Sequence, residues 1–135
     1  MGLIVDTGVF IRLEREPQAV DFSLYSERYA DAYVSAGTAS ELLLGVHLAN
    51  TEARRLKRTA FVEAVLRLYP VLPFDLEVAR IHSRLVASLP RNVTLGSIDL
   101  IIGATALRHG FAVLTTNPDD YRRMPGCMVE AVPAQ

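Results

Sequence analysis

The chain of 135 residues has one cysteine, Cys127, and only three histidines, His47, His82 and His109, spread over stretches that read as helical. A single thiol forms no internal disulfide, and no Cys/His spacing matches a zinc site. The formal net charge of −1 removes any chain-wide electrostatic case for nucleic acid and leaves only local basic patches. No apolar run is long enough to span a bilayer. No charged leader precedes Leu3–Val5, so no signal peptide is expected and a cytoplasmic location is the default. The phosphate-binding glycine patterns GxGxxG and the P-loop are missing, as is the GxSxG of serine hydrolases. A phosphotransfer domain with Asp after its first strand usually carries a second acid two residues later, where this chain has Gly8. Repeats, low-complexity tracts and linkers are also lacking, which favours one domain over residues 1–135.

What is present is globular: 50% hydrophobic and 21% charged residues, enough for a real core. Leu3, Ile4 and Val5 predict a buried strand that stops at Asp6, and Thr7 and Gly8 lead into a helix from about Val9 to Arg15. Residues 22–29 read as a short amphipathic helix, followed by a second strand from Ala32 to Ala36 that Gly37 breaks. Thr38 and Glu41 then have the spacing of a capping box at the next helix. A longer helix is predicted from Thr51 to Tyr69, with Arg54, Arg55, Lys57 and Arg58 in its first turns; such a cluster is ordinarily a solvated face. Val71 and Leu72, between prolines, predict a very short edge strand, and Asp75 caps a helix to about Leu89.

The stretch from Gly96 to Asp120 carries the clearest signal. Ser97 is placed to cap a helix apolar almost all round, which predicts a sandwiched element with Asp99 in its first turn. Gly110 supplies the left-handed stop. Phe111–Leu114 then form a strand covered on both faces, leaving through Thr115, Thr116 and Asn117. Met128–Val132 is a last, less buried strand. Alternating strands and helices predict an α/β fold: a three-layer α/β/α sandwich around a mostly parallel sheet of four to five strands.

In such a sheet Asp6, Glu41, Asp99, Asn117 and Asp119 all fall at the carboxyl-end side, where ligands collect. Each has a plainer reading, Asp6 as a helix cap and Glu41 as half of the capping box. Together, three carboxylates in one pocket repel and call for a cation. An oxygen-only set selects a hard ion, Mg²⁺ or Mn²⁺, and such an ion points to phosphodiester hydrolysis.

Four segments then carry a resemblance: IVDTGVF at Ile4–Phe10, SELLLGV at Ser40–Val46, SIDLIIGATALRHG at Ser97–Gly110 and LTTNPDDY at Leu114–Tyr121. In order and spacing they resemble the PIN-domain proteins, and among them the VapC-type toxin ribonucleases of toxin–antitoxin modules. The resemblance implies a PIN-like fold and a metal-dependent endoribonuclease. It makes Asp6, Glu41 and Asp99 the acidic metal-binding triad, with Thr7 supporting the first acid through its hydroxyl or amide. The family's fourth acidic position falls on Asn117, an uncharged amide, flanked by Thr116 and by Asp119 and Asp120. Of the two following acids, Asp119 is the candidate to restore charge through water; Asp120 reads as a turn or helix cap. The same resemblance implies homodimerisation, inhibition by a small VapB-like antitoxin, and contact with DNA only through that antitoxin. Candidate RNA contacts are Arg12, Arg15, Arg54, Arg55, Arg122 and Arg123. A PIN-like module that binds RNA or protein without cutting is the competing reading, kept open by Asn117.

Overall fold

The computed structural model describes residues 1–134. Five strands form one sheet: β1 Gly2–Val5, β2 Asp31–Ser35, β3 Val71–Leu72, β4 Ala112–Thr115 and β5 Met128–Ala131. Their order is β3-β2-β1-β4-β5, and every neighbouring pair is parallel. The helices are α1 Thr7–Arg15, α2 Ala36–His47, α3 Glu52–Leu68, α4 Leu76–Ser88, α5 Ser97–His109 and α6 Pro118–Arg122.

Alternation along the strands sorts the core into two halves. Leu3 and Val5 of β1 and Ala112 and Leu114 of β4 face a cluster with Val9, Phe10, Val34, Val62 and Val65 from the α1–α3 side. Ile4 and Val113 point the other way, to Val78, Leu85, Ile102, Tyr121 and Met124 from α4, α5 and the α6 region. The sheet is therefore covered on both faces, which is why its central strands read as continuous apolar runs. α5 is sandwiched as its composition predicts: Leu100, Ile102, Gly103, Ala104, Thr105 and Ala106 are buried. Gly110 closes it at φ 69°, in the left-handed region.

Chain order reverses at β1: β2 and β3 lie on one side of it, β4 and β5 on the other. The crevice between the carboxyl ends of β1 and β4 is thus the switch point at which open parallel sheets bind ligands.

Four local expectations are corrected. Ser35 caps α2, its hydroxyl accepting from the Thr38 amide at 3.1 Å, so the helix starts before Gly37 and Glu41 lies beyond the cap. Gly37 does not break the strand; it sits inside α2, where a Cβ would come within 3.1 Å of Ile101 Cγ2, and so allows α2 to approach α5 closely. At α5 the cap position belongs to Gly96, and Ser97 is already helical, with no side-chain cap. Residues 22–29 do not form the amphipathic helix; only the 3₁₀ turn Phe22–Leu24 is regular. Their side chains reach the β5 edge instead: Tyr29 donates to Glu130 at 2.7 Å, Arg28 pairs with Glu130 at 2.8 Å, and Tyr25 donates to the Ala131 carbonyl at 3.2 Å.

Candidate active site

Asp6 directly follows β1 and is only 6% exposed. Its amide donates to the Leu114 carbonyl at 2.9 Å, fixing the residue beside the end of β4. Thr115, the last residue of β4, donates from its hydroxyl to Asp6 Oδ2 at 2.7 Å and accepts from the Asn117 amide at 2.9 Å. The Thr7 amide also hydrogen-bonds the Asp6 carboxylate. The Thr7 hydroxyl goes elsewhere, to Thr38 at 3.0 Å, and Ser35 lies on the far side of Thr38. This buried hydroxyl chain ties the N-terminus of α1, which follows Asp6, to the N-terminus of α2, which carries Glu41.

Asp99 sits in the first turn of α5, half-buried. The Tyr121 hydroxyl donates to its Oδ1 at 3.3 Å and lies near enough to Asp6 to lower the cost of ionising it. A Cβ on Gly96 would come within 3.0 Å of Asp99 Oδ2, so the glycine leaves that oxygen room. Glu41 is exposed and lines a cavity of about 270 Å³ between α1, α2 and α3, together with Thr7, Phe10, Arg15 and Arg58. Asn117 donates from Nδ2 to Asp120 at 2.8 Å. Asp119 lies at the surface, paired with Arg122 at 3.3 Å. Of these two acids it is Asp120 whose charge reaches Asp99. The Thr116 hydroxyl lies over α1, 2.9 Å from where a Cβ on Gly8 would be.

The electrostatics couple the acids in pairs. Burial raises the Asp6 pKa above its usual value, and the charge of Glu41 adds to the rise; the hydrogen bonds from Thr115, Tyr121 and Thr7 oppose it. Asp99 is raised by burial first, then by the charges of Asp6 and Asp120, against the hydrogen bond from Tyr121. Burial and the two aspartates push the Tyr121 phenol far up, so it stays protonated. Among the described residues no lysine, arginine or histidine forms an ion pair with Asp6, Glu41 or Asp99. Nor do three acidic, histidine or cysteine side chains lie close enough together there to hold an ion as a ready-made cage. The donor set still fits a hard divalent cation: it is oxygen-only and anionic, buried at Asp6 and half-buried at Asp99, with no ion pair to any of the three acids among the described residues.

The PIN domain family model matches residues 3–126. This chain belongs to the PIN-domain family. It is similar to Ribonuclease VapC1 of Rickettsia felis, with 40% identity over 133 residues, 98% of this chain and 97% of that protein. It is also similar to Ribonuclease VapC of Rickettsia bellii, with 36% identity over 134 residues and 98% of each chain covered. The crystal structure of DNA-bound VapBC from Salmonella typhimurium superposes with a TM-score of 0.83 at 26% identity, over 98% of this chain and 99% of that one.

Two residues that touch the acids of this PIN domain had no role in the sequence reading. Thr115 was legible in principle, since the end of a strand beside β1 must lie next to Asp6. Tyr121 gave no such sign, because nothing in a one-dimensional pattern shows that the last residue of LTTNPDDY turns its hydroxyl back to two aspartates.

Proposed function

We propose that this PIN-domain protein is a divalent-metal-dependent endoribonuclease and the toxin of a toxin–antitoxin pair. One observation supports it above the others: at the switch point of the sheet Asp6 is buried and Asp99 half-buried, the charge of Asp6 raises the cost of ionising Asp99, and neither forms an ion pair with a cationic side chain among the described residues. Asp6 and Asp99 would hold the ion, Mg²⁺ or Mn²⁺, with Glu41 bound directly or through water. When bound, such an ion lowers the pKa of water and offsets charge on the phosphate. Glu41, facing the cavity, orients or deprotonates the attacking water. Thr7 and Thr115 fix the Asp6 carboxylate, and Asn117 holds Asp120 near Asp99. Asp119 and Thr116 support the rim of the site. Water attack leaves a 5′-phosphate and a 3′-hydroxyl.

The VapC relatives and the VapBC structure support the partner reading: an RNA substrate, a small VapB-like antitoxin, and DNA reached only through the antitoxin. A homodimer is part of the same proposal. No helix among the described residues is long and apolar enough to cross a membrane, and action on RNA implies the cytoplasm. Arg15, in the cavity with Glu41, is the best-placed of the six candidate arginines for an RNA phosphate. We assign the activity to a single PIN-like domain.

Asn117 favours a second reading, a PIN-like module that binds RNA or protein but cuts weakly: its amide carries no charge and is already engaged with Asp120. Incubating purified protein with cellular RNA and Mg²⁺ separates the two. The nuclease reading expects cleavage that a chelator stops and that Asp99→Asn abolishes in a folded protein. RNA bound without being cut would establish the second reading.

A further inference from the structure

Tyr121 is fully buried in the α5 half of the core, where a phenylalanine would fill the same volume. Its hydroxyl is therefore not explained by packing. A buried phenol needs a hydrogen-bond partner, and this one faces two acids. We propose that Tyr121 is a positioning residue for the metal-binding carboxylates, its hydroxyl fixing Asp99 Oδ1 and so presenting Asp99 Oδ2 to the ion. The inference rests on the reading of Asp6 and Asp99 as metal ligands and extends it to the residue that orients them.

The geometry divides the oxygens. Asp99 Oδ1 accepts from Tyr121, while Oδ2, beside Gly96, receives no hydrogen bond from the described residues. On Asp6 the corresponding restraint comes from Thr115, on Oδ2. Each aspartate is thus held by a neutral hydroxyl donor, which turns the carboxylate without cancelling its charge. A lysine in place of the phenol would compete with the cation; a phenylalanine would leave Asp99 free to rotate. A phenol is protonated at neutral pH and is therefore a donor there. Donors of this kind behind metal-binding side chains typically carry about 10–100-fold of metal affinity.

The test is Mn²⁺ binding to the full chain without RNA, followed by electron paramagnetic resonance, for the wild type, Tyr121→Phe and Asp99→Asn. Tyr121→Phe is expected to bind Mn²⁺ about 10–100-fold more weakly, with its metal-free thermal unfolding little changed. Asp99→Asn is expected to bind none in the same range. Equal or tighter binding by Tyr121→Phe, with binding lost in Asp99→Asn, overturns the positioning role and leaves the ligand reading intact. Binding by Asp99→Asn equal to the wild type overturns both. Should Tyr121→Phe fail to fold, the wild type labelled with ¹³C at Cζ of its five tyrosines decides. Mg²⁺ must then shift one of the five signals, and five unmoved signals overturn the proposal.

Discussion

The Thr115 hydroxyl bridges Asp6 Oδ2, at 2.7 Å, and the Asn117 amide, at 2.9 Å. It joins the carboxyl ends of two adjacent parallel strands and starts the turn into α6 with the same atom. Thr115→Val keeps the shape of this fully buried side chain and removes both bonds. Losing a hydrogen bond to a charged group and stranding an amide is expected to cost about 1–3 kcal/mol. The urea midpoint at neutral pH measures it, with Thr115→Ser, which keeps the hydroxyl, close to wild type. A valine variant as stable as the wild type would show that the bridge does not form in solution.

Glu41 and Ser35 separate function from capping. Because Ser35 rather than Thr38 caps α2, Ser35→Ala is expected to lose about 0.5–2 kcal/mol of stability. Glu41→Gln, an exposed residue past the cap, is expected to leave the unfolding curve within about 0.5 kcal/mol of wild type while RNA cleavage drops. A large destabilisation in Glu41→Gln would return the residue to a capping role.

These two pairs also show where the sequence was readable. Runs such as Leu3–Val5 and the all-round apolar α5 have one physical solution, burial on both faces, so the layers followed from topology. Of the three acids expected in one pocket, Asp6 and Asp99 come near enough for the charge of one to act on the other, and no three such side chains form a cage among the described residues. Helix starts did not. Ser35 and Thr38 are both good caps, and only the packing of Gly37 against Ile101 fixes which one is used. The stretch 22–29 had helical spacing, but Tyr25, Arg28 and Tyr29 gain more from Glu130 and the Ala131 carbonyl, partners about a hundred residues away that no local pattern contains. The relation of Asp119 and Asp120 was hidden for the same reason: only the course of α6 decides which acid turns to Asp99 and which to Arg122.

Water attack makes a prediction about the substrate. If the 2′-hydroxyl is not the nucleophile, an oligonucleotide with one 2′-deoxy sugar at the scissile position is still cut, and the new ends are a 5′-phosphate and a 3′-hydroxyl. Polynucleotide kinase labelling before and after phosphatase treatment reads the ends. A 2′,3′-cyclic phosphate, or complete resistance of the deoxy substrate, would rule out the water mechanism.

The raised carboxylates make stability depend on pH with a sign opposite to that of salt-bridged acids. In the unfolded chain Asp6 and Asp99 ionise near the usual 3.8; in the fold, burial first, then the charge of Glu41 on Asp6 and of Asp6 and Asp120 on Asp99, keeps them protonated to higher pH. Between those limits the native state binds more protons than the unfolded one, so in a chelator this pair's contribution falls as pH rises from about 4 through the folded values. Asp99→Asn removes one of the two charges and keeps an acceptor for Tyr121. Without metal it is expected to unfold a few degrees above the wild type at pH 7.5, with the gap closing towards pH 4. Mg²⁺ at neutral pH acts the other way: it binds the native state and raises the wild-type midpoint by mass action, but not that of Asp99→Asn. Differential scanning calorimetry across pH, with chelator or Mg²⁺, tests both halves. A pH-independent gap would mean that burial does not hold these carboxylates protonated. A midpoint raised equally by Mg²⁺ in both proteins would mean that the ion binds elsewhere.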